Sequence, residues 1–267
     1  MRDDRRSDRD PRAVDNERDG SLAARLSPNL RGVCGRTRLT ISWRELRLLM
    51  TLGDTPPVGF GLRYNLAPTQ PIPVVRQWGV AEMVRWGLIH TSPEDQRGGP
   101  AGINVRGETL RKAHYRELRS KRCLVVTNGF YEWSLASTPK IPHLIAMPND
   151  ALMIMGGVYD EVIDAEGVVR ASCAIVTLPA KGIVADIHDR MPLLLAASDY
   201  RPWLDVQSNV DRFFASPMLE GLTMRPVSRL LNVVSNDDAS VLDPSNEPVA
   251  KPKRTKTPKP DPQGSLF

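Results

Sequence analysis

The chain lacks most of the features that mark membrane, secreted or metal-bound proteins. Nowhere in its 267 residues is there an apolar run of about 18, so no transmembrane helix is expected. The N-terminus has no apolar stretch of the kind that carries a chain into a secretory route. Cysteine is scarce. The three thiols, Cys34, Cys123 and Cys173, are odd in number and form no C-x-x-C pair, which argues against both a disulfide framework and a zinc site. The expectation is a reduced, cytoplasmic monomer with no cofactor, no metal and no membrane partner.

Strong charge of one sign is also missing from the middle of the chain. The net charge is +5, but residues 1–31 set eight Arg against seven acids, and residues 246–267 set five Lys or Arg against two. About one positive charge is left for everything between, so any nucleic-acid binding must use a local patch rather than bulk charge.

Three segments are expected. Residues 1–32 alternate Arg and Asp with almost no aromatic or β-branched side chain, and cannot bury enough apolar area to offset their ordering entropy. They read as a disordered leader. Residues 33–245 are an ordinary mixed sequence, and residues 246–267 are a basic, proline-rich, extended tail. Within the middle segment, Ser42-Trp43-Arg44-Glu45 is a capping box opening a helix, with Trp43, Leu46 and Leu49 or Met50 on one face. Ile72–Arg76 and Glu82–Trp86 read as a hairpin. His90–Gly102 reads as a surface loop. Thr109–Arg122 is predicted as a basic amphipathic helix, and Cys123–Thr127, Pro142–Met147, Ala151–Val158 and Cys173–Leu178 as strands. Ser198–Asp205 and Val210–Phe214 are predicted as short helices. Mostly strands with a few interspersed helices indicates one α+β domain around a curved antiparallel sheet or barrel-like core, with peripheral helices.

Four blocks carry the chemistry: Val33-Cys34-Gly35-Arg36, Asn104-Val105-Arg106-Gly107-Glu108-Thr109, Gly129-Phe130-Tyr131-Glu132-Trp133, and His188-Asp189-Arg190-Met191-Pro192. They offer a thiol, an amide, carboxylates, an imidazole and several guanidiniums, a set from which a Cys nucleophile is built. In that order they resemble the signature blocks of the SOS-response-associated peptidase family, the abasic-site-processing proteins. Tyr64-Asn65-Leu66-Ala67-Pro68, Trp86-Gly87-Leu88, Pro226-Val227-Ser228, Asn232 and Asn236-Asp237 extend the resemblance from Cys34 to Pro244.

The resemblance implies a β-barrel-like core and covalent capture of abasic sites in single-stranded DNA. The ring-opened sugar is an aldehyde, which condenses with an amine to a Schiff base. A thiol two carbons from that amine then closes a thiazolidine. Only an N-terminal cysteine provides both groups, and its α-amine, with a pKa near ~8, is partly neutral at physiological pH. Cys34 is internal here, so two routes to its exposure are expected: initiation at Val33 through a GTG codon with removal of the initiator, or cleavage of the Val33–Cys34 bond by the chain itself. Rival readings are a cysteine peptidase with a Cys34–His188 dyad, and a non-covalent single-strand or clamp-associated module.

Further roles follow from the resemblance. Glu132 is the expected general acid/base, partly desolvated between Tyr131 and Trp133. His188 moves protons at the sugar, and Asn104 orients the sugar and the N-terminus. Arg36 and Arg106 are expected phosphate clamps, with a Glu108 ion pair as the plainer reading of Arg106. Arg190 reads as either structural or phosphate-facing, and Pro68 as a wedge beside the lesion or a turn proline. One departure is the segment Ile89-His90-Thr91-Ser92-Pro93, which lacks the Trp-rich continuation that supplies base-stacking platforms in the family. The chain ends Gln263-Gly264-Ser265-Leu266-Phe267, similar to the pentapeptide by which bacterial repair proteins dock into the sliding clamp, with Gln263, Leu266 and Phe267 as the contacts. DNA carrying abasic sites and the clamp are therefore the expected partners, and the nucleoid the expected place.

Overall fold

The computed structural model describes residues 34–89, 102–134, 138–215 and 220–246. The expected leader, the tail from 247 onward and nearly all of the 90–102 loop lie outside these residues.

The described residues contain thirteen strands. In chain order they are β1 (Thr37–Leu39), β2 (Arg63–Leu66), β3 (Pro71–Gln77), β4 (Val80–Trp86), β5 (Asn104–Arg106), β6 (Arg122–Thr127) and β7 (Gly129–Trp133), followed by β8 (Pro142–Ala146), β9 (Met153–Ile163), β10 (Val169–Pro179), β11 (Arg190–Pro192), β12 (Leu194–Leu195) and β13 (Thr223–Pro226). Five of them close on themselves. β10 pairs with β4, β4 with β3, β3 with β6, β6 with β9, and β9 again with β10. Four of these pairings are antiparallel and β10–β4 is parallel. Beyond β4, β5 continues the same edge of β10, while β11 takes the edge that β9 leaves. β12 pairs with β9, and the other five strands form a second sheet in the order β13-β8-β7-β1-β2.

The sequence explains the ring. β6 reads Arg-Cys-Leu-Val-Val-Thr and is buried at every position, because it has the barrel interior on one side and the indole of Trp203 on the other. Trp203 Nε1 donates to the Cys123 carbonyl at 2.9 Å, so this large side chain is buried without an orphaned N–H. On the neighbouring strand β9, Gly157 lies opposite Cys123, and a methyl there would lie 2.9 Å from Cys123 Sγ and 3.1 Å from the Ala174 carbonyl, so a side chain at that position would not fit.

The first helix, α1 (Trp43–Met50), begins at the capping box: Glu45 N–H donates to Ser42 Oγ and the Glu45 carboxylate accepts from Ser42 N–H. Leu46 and Met50 are its buried residues, and Leu49 is exposed. The continuous helix expected over Thr109–Arg122 does not form. One turn at Gly107–Leu110 is followed by a 3₁₀ turn at Ala113–Tyr115 and another short helix at Arg116–Ser120, and Arg122 already belongs to β6. Lys112 is extended, and Arg119 Nη1 folds back to the Leu110 carbonyl at 2.9 Å, which satisfies the end of the first turn and makes continuation unnecessary. Among the described residues no helix is long and apolar enough to cross a membrane.

The chain passes from the ring to the second sheet at Asn128, between β6 and β7. There the hydroxyls of Thr37 and Thr127 meet at 2.6 Å, both fully enclosed, and lock β1 of one sheet to β6 of the other.

Candidate active site

The antiparallel register of β1 and β7 sets the first contact. Thr37 lies opposite Phe130, and Tyr131 N–H donates to the Arg36 carbonyl at 3.0 Å. Continuing that register brings Cys34 to the level of Glu132 and Trp133. The Cys34 backbone nitrogen there donates to Glu132 Oε1 in a very short bond. Cys34 is fully buried and Glu132 is 3% exposed.

Burial dominates the electrostatics. It pushes the Glu132 carboxyl up to about 8, opposed by the N–H of Cys34 and reinforced by the negative charge of Asp189. The Cys34 thiol is pushed well above the ordinary cysteine range, first by burial and then by Glu132. At neutral pH the site therefore holds a protonated carboxyl and a protonated thiol, side by side around one nitrogen. Cys34 also has φ +49°, a left-handed conformation that costs a non-glycine residue about 1 kcal/mol or more when a peptide bond precedes it.

His188 stands on the turn before β11, its backbone N–H bonded to the Val184 carbonyl at 3.0 Å. Its Nδ1 accepts the N–H of Arg190 at 3.0 Å, which leaves the proton of the neutral ring on Nε2. Asp189 Oδ1 lies 3.0 Å from the same nitrogen, but that carboxylate is largely exposed, so we assign the acceptor role to Nδ1 from the backbone contact. Among the described residues no hydrogen bond joins His188 to Cys34.

Asn104 and Arg106 lie at the two ends of β5, opposite Ile175 and Thr177 of β10. Asn104 is half-buried and Arg106 exposed. The expected ion pair between Arg106 and Glu108 is not formed; Glu108 is gripped instead by Arg190, through Nη1 at 2.7 Å and Nη2 at 2.9 Å. Nothing in the sequence pointed to this pair, since the two residues are 82 positions apart.

Arg36 donates through Nη1 to Asn65 Oδ1 at 2.6 Å and to the Leu231 carbonyl at 2.7 Å. Asn65 is fully enclosed, and its Nδ2 faces the carbonyls of Leu231, Val233 and Asn236 at 2.8–3.1 Å. Asp237 closes the free edge of β2 by accepting Tyr64 N–H at 2.6 Å and Asn65 N–H at 2.7 Å. The late motif residues therefore hold the C-terminal segment against β2, and Trp133 Nε1 adds a bond to Asn232 Oδ1 at 2.8 Å. Pro68 is half-buried in a turn closed by Gln70 N–H to the Ala67 carbonyl at 3.2 Å, with Thr69 held at φ +73°. Gln263, Leu266 and Phe267 lie outside the described residues. No His, Cys, Asp and Glu cluster suited to a metal ion occurs among the described residues.

The chain is 32% identical to the abasic site processing protein YoaM of Bacillus subtilis over 225 residues, covering 80% of this chain and 99% of that protein. It is 26% identical to the abasic site processing protein HMCES of Xenopus tropicalis, covering 77% and 76% of the two chains. A crystal structure of a Bacteroides thetaiotaomicron protein superposes with a TM-score of 0.69 at 20% identity, over 78% of this chain and 98% of that one, a likeness of fold. With residues 33–234 matching the description SOS response associated peptidase (SRAP), the chain belongs to that family.

Proposed function

We propose that this domain processes abasic sites in single-stranded DNA by capturing their aldehyde covalently on Cys34. One observation carries the reading: the nitrogen of Cys34 is aimed at a buried carboxyl that remains protonated to about pH 8. Relatives named for abasic site processing supply the substrate class.

In the proposed reaction the Cys34 α-amine adds to the C1′ aldehyde, forming a C–N bond and a carbinolamine. Glu132 donates its proton to the departing hydroxyl, water leaves, and an iminium remains. The thiol then adds to that carbon, its proton passing to the Glu132 carboxylate, which is restored to the acid. The electron pair of the C=N bond returns to nitrogen, which keeps its one proton, and the neutral thiazolidine is complete. Overall, aldehyde and aminothiol yield thiazolidine and one water, with no change of oxidation state. A thiol that stays protonated suits ring closure assisted by Glu132 better than it suits a Cys–His peptidase dyad, which needs a thiolate. His188 moves protons at the sugar hydroxyl, Asn104 orients the sugar, Arg106 and Arg36 meet phosphates, and Pro68 lies beside the lesion. The peptide bond between Val33 and Cys34 must be absent for any of this, since an amide nitrogen is not a nucleophile.

The test is a denaturing gel with a uracil-containing oligonucleotide treated with uracil glycosylase. The chain beginning at Cys34 is expected to give a heat-stable covalent band, lost in Cys34→Ala while DNA binding is retained. A stable band from protein shown by mass spectrometry to keep residues 1–33 overturns the reading. For Gln263, Leu266 and Phe267 we propose docking to the sliding clamp; loss of co-purification on deleting the last five residues is expected, and indifference to that deletion excludes it.

A further inference from the structure

We propose that His143, with Ile141 and Pro226 beside it, is the platform on which the nucleotide adjoining the abasic site packs, so that the captured strand leaves Glu132 across β8 and β13. The proposal rests on the capture reading above.

The register of the second sheet lays these residues out in a row. β7 pairs with β8 so that His143 lies opposite Glu132, and β8 pairs with β13 so that Pro226 lies opposite His143. Residues directly opposite each other in an antiparallel pair share a face, their side chains starting about 5 Å apart. Phe130, Ile145 and Met224 occupy the next row inward on that face and pack into the main core. Ile141 stands one row outward, where Ser134 N–H extends the ladder to its carbonyl at 3.0 Å.

Exposure rises in both directions from the core. Across the strands Glu132 is 3% exposed, His143 half-buried and Pro226 exposed. Along β8, Ile145 is fully buried, His143 half-buried and Ile141 39% exposed. His143 is therefore at the rim where the buried carboxyl meets solvent. The turn that carries His188 comes up to the same row: β13 runs beside its Gly182–Val184 segment, and the Asp189 charge reaches the Glu132 carboxyl. A strand whose sugar reaches Cys34 between these two walls must pass its next nucleotide over the rim. Bases in a stacked strand follow one another at about 3.4 Å, within reach of a ring that starts about 5 Å from Glu132.

The ring is held in place for such a contact. Its Nδ1 lies 3.1 Å from the Ile141 carbonyl, which can only accept, so the neutral imidazole keeps its proton there. Among the described residues the ring makes no other hydrogen bond or ion pair. Stacking on an aromatic ring accepts any base, since every base has a π-face, and the flanking Ile141 and Pro226 add apolar surface around it. A neutral ring releases no counterions on binding, which separates this contact from one made to phosphate.

The test couples the ring to the base it would touch. Affinities of purified wild type, His143→Ala and His143→Phe are measured for three single strands of one length. The first carries a single unreactive tetrahydrofuran residue, and the others carry a second one on its 5′ or its 3′ side. Wild type should bind one of the doubly substituted strands about 5-fold or more weakly than the first. His143→Ala should be weakened by about the same factor on the first strand, with no further loss on that doubly substituted one, and with an unchanged salt slope. His143→Phe should stay within about twofold of wild type throughout. Equal loss on all three strands in His143→Ala, as a phosphate contact or a damaged fold would give, overturns the proposal. No loss on any strand overturns it too, as does a His143→Phe protein as weak as His143→Ala. Binding of the analogue needs no crosslink. If wild type binds these strands yet forms no covalent band with a true abasic site, the capture reading fails and the affinities still decide the platform; wild type that binds none of them overturns the platform.

Discussion

The backbone nitrogen of Cys34 and the carboxyl of Glu132 meet across 98 positions of sequence, brought together by the pairing of β1 with β7. The bond lies in a region with almost no access to water, so the carboxyl remains neutral where an exposed glutamate would be charged. Stability and chemistry are thereby tied to the same proton.

Stability should depend on that proton with a definite sign. The folded carboxyl holds its proton to about pH 8, against an ordinary value of 4.5. The folded state therefore binds more protons between those values, and the contribution is fully present below about 4.5 and lost as pH rises toward 8. Wild type should lose on the order of 3–5 kcal/mol relative to Glu132→Gln across this window. Urea unfolding at pH 5 and pH 8 measures it; parallel behaviour of the two proteins would place the carboxylate in a more solvated setting than the structure gives it.

Capture should depend on the same protonated form of that group. Above about pH 8 the dehydration step loses its acid even as the α-amine becomes more nucleophilic, so the saturating rate should turn downward there. Glu132→Gln should be slower by roughly 10²–10³-fold and should lack the falling limb. Single-turnover rates from pH 6 to 9.5 give both numbers.

Asn65→Ala should be costly although Asn65 touches no reacting atom. It would strip the Leu231, Val233 and Asn236 carbonyls of a shared donor and leave Arg36 Nη1 without its side-chain acceptor. The expected loss is about 2–4 kcal/mol, since each buried group left unsatisfied costs ~1 kcal/mol or more. Asp237→Asn retains an acceptor for Tyr64 and Asn65 N–H but loses the charge beside Arg63, and should cost about half as much. Denaturant midpoints at constant slope are the measurement.

Gly107→Ala tests close packing next to the site. A methyl there would lie 2.7 Å from the end of the Leu178 side chain and 3.3 Å from the Phe214 ring, and both would have to give. A cost of about 1–2 kcal/mol is expected, seen as a fall of roughly 2–8 °C in the thermal midpoint.

Local signals carried the framework. The Ser42–Glu45 capping box placed the start of α1, and two strand-like runs with a Gly between them placed the β3–β4 hairpin, because both depend on neighbours in sequence. The runs that became β6, β9 and β10 were legible from their apolar content. Short strands were not: β1, β5, β11 and β13 have three or four residues each and exist through pairing with distant partners. The Thr109–Arg122 segment misled because Leu110, Ala113 and Leu118 recur at helical spacing, while the chain breaks at the extended Lys112 and the Leu110 carbonyl is taken by the Arg119 side chain. At the site, the blocks named Cys34, Glu132 and His188 but left the Arg partners open. Glu108 was matched to its near neighbour Arg106, and the structure gives it to a residue on another strand.

β1 is three residues long and is flanked on both sides, by β2 and by β7, with Cys34 at its leading end. Anything fastened to Cys34 and pulled along the axis of β1 would load the bonds to both neighbours at once, in shear, instead of peeling them one after another. Such an attachment would sit at one of the firmer places on the molecule, since tension would be shared between two neighbouring strands of one sheet.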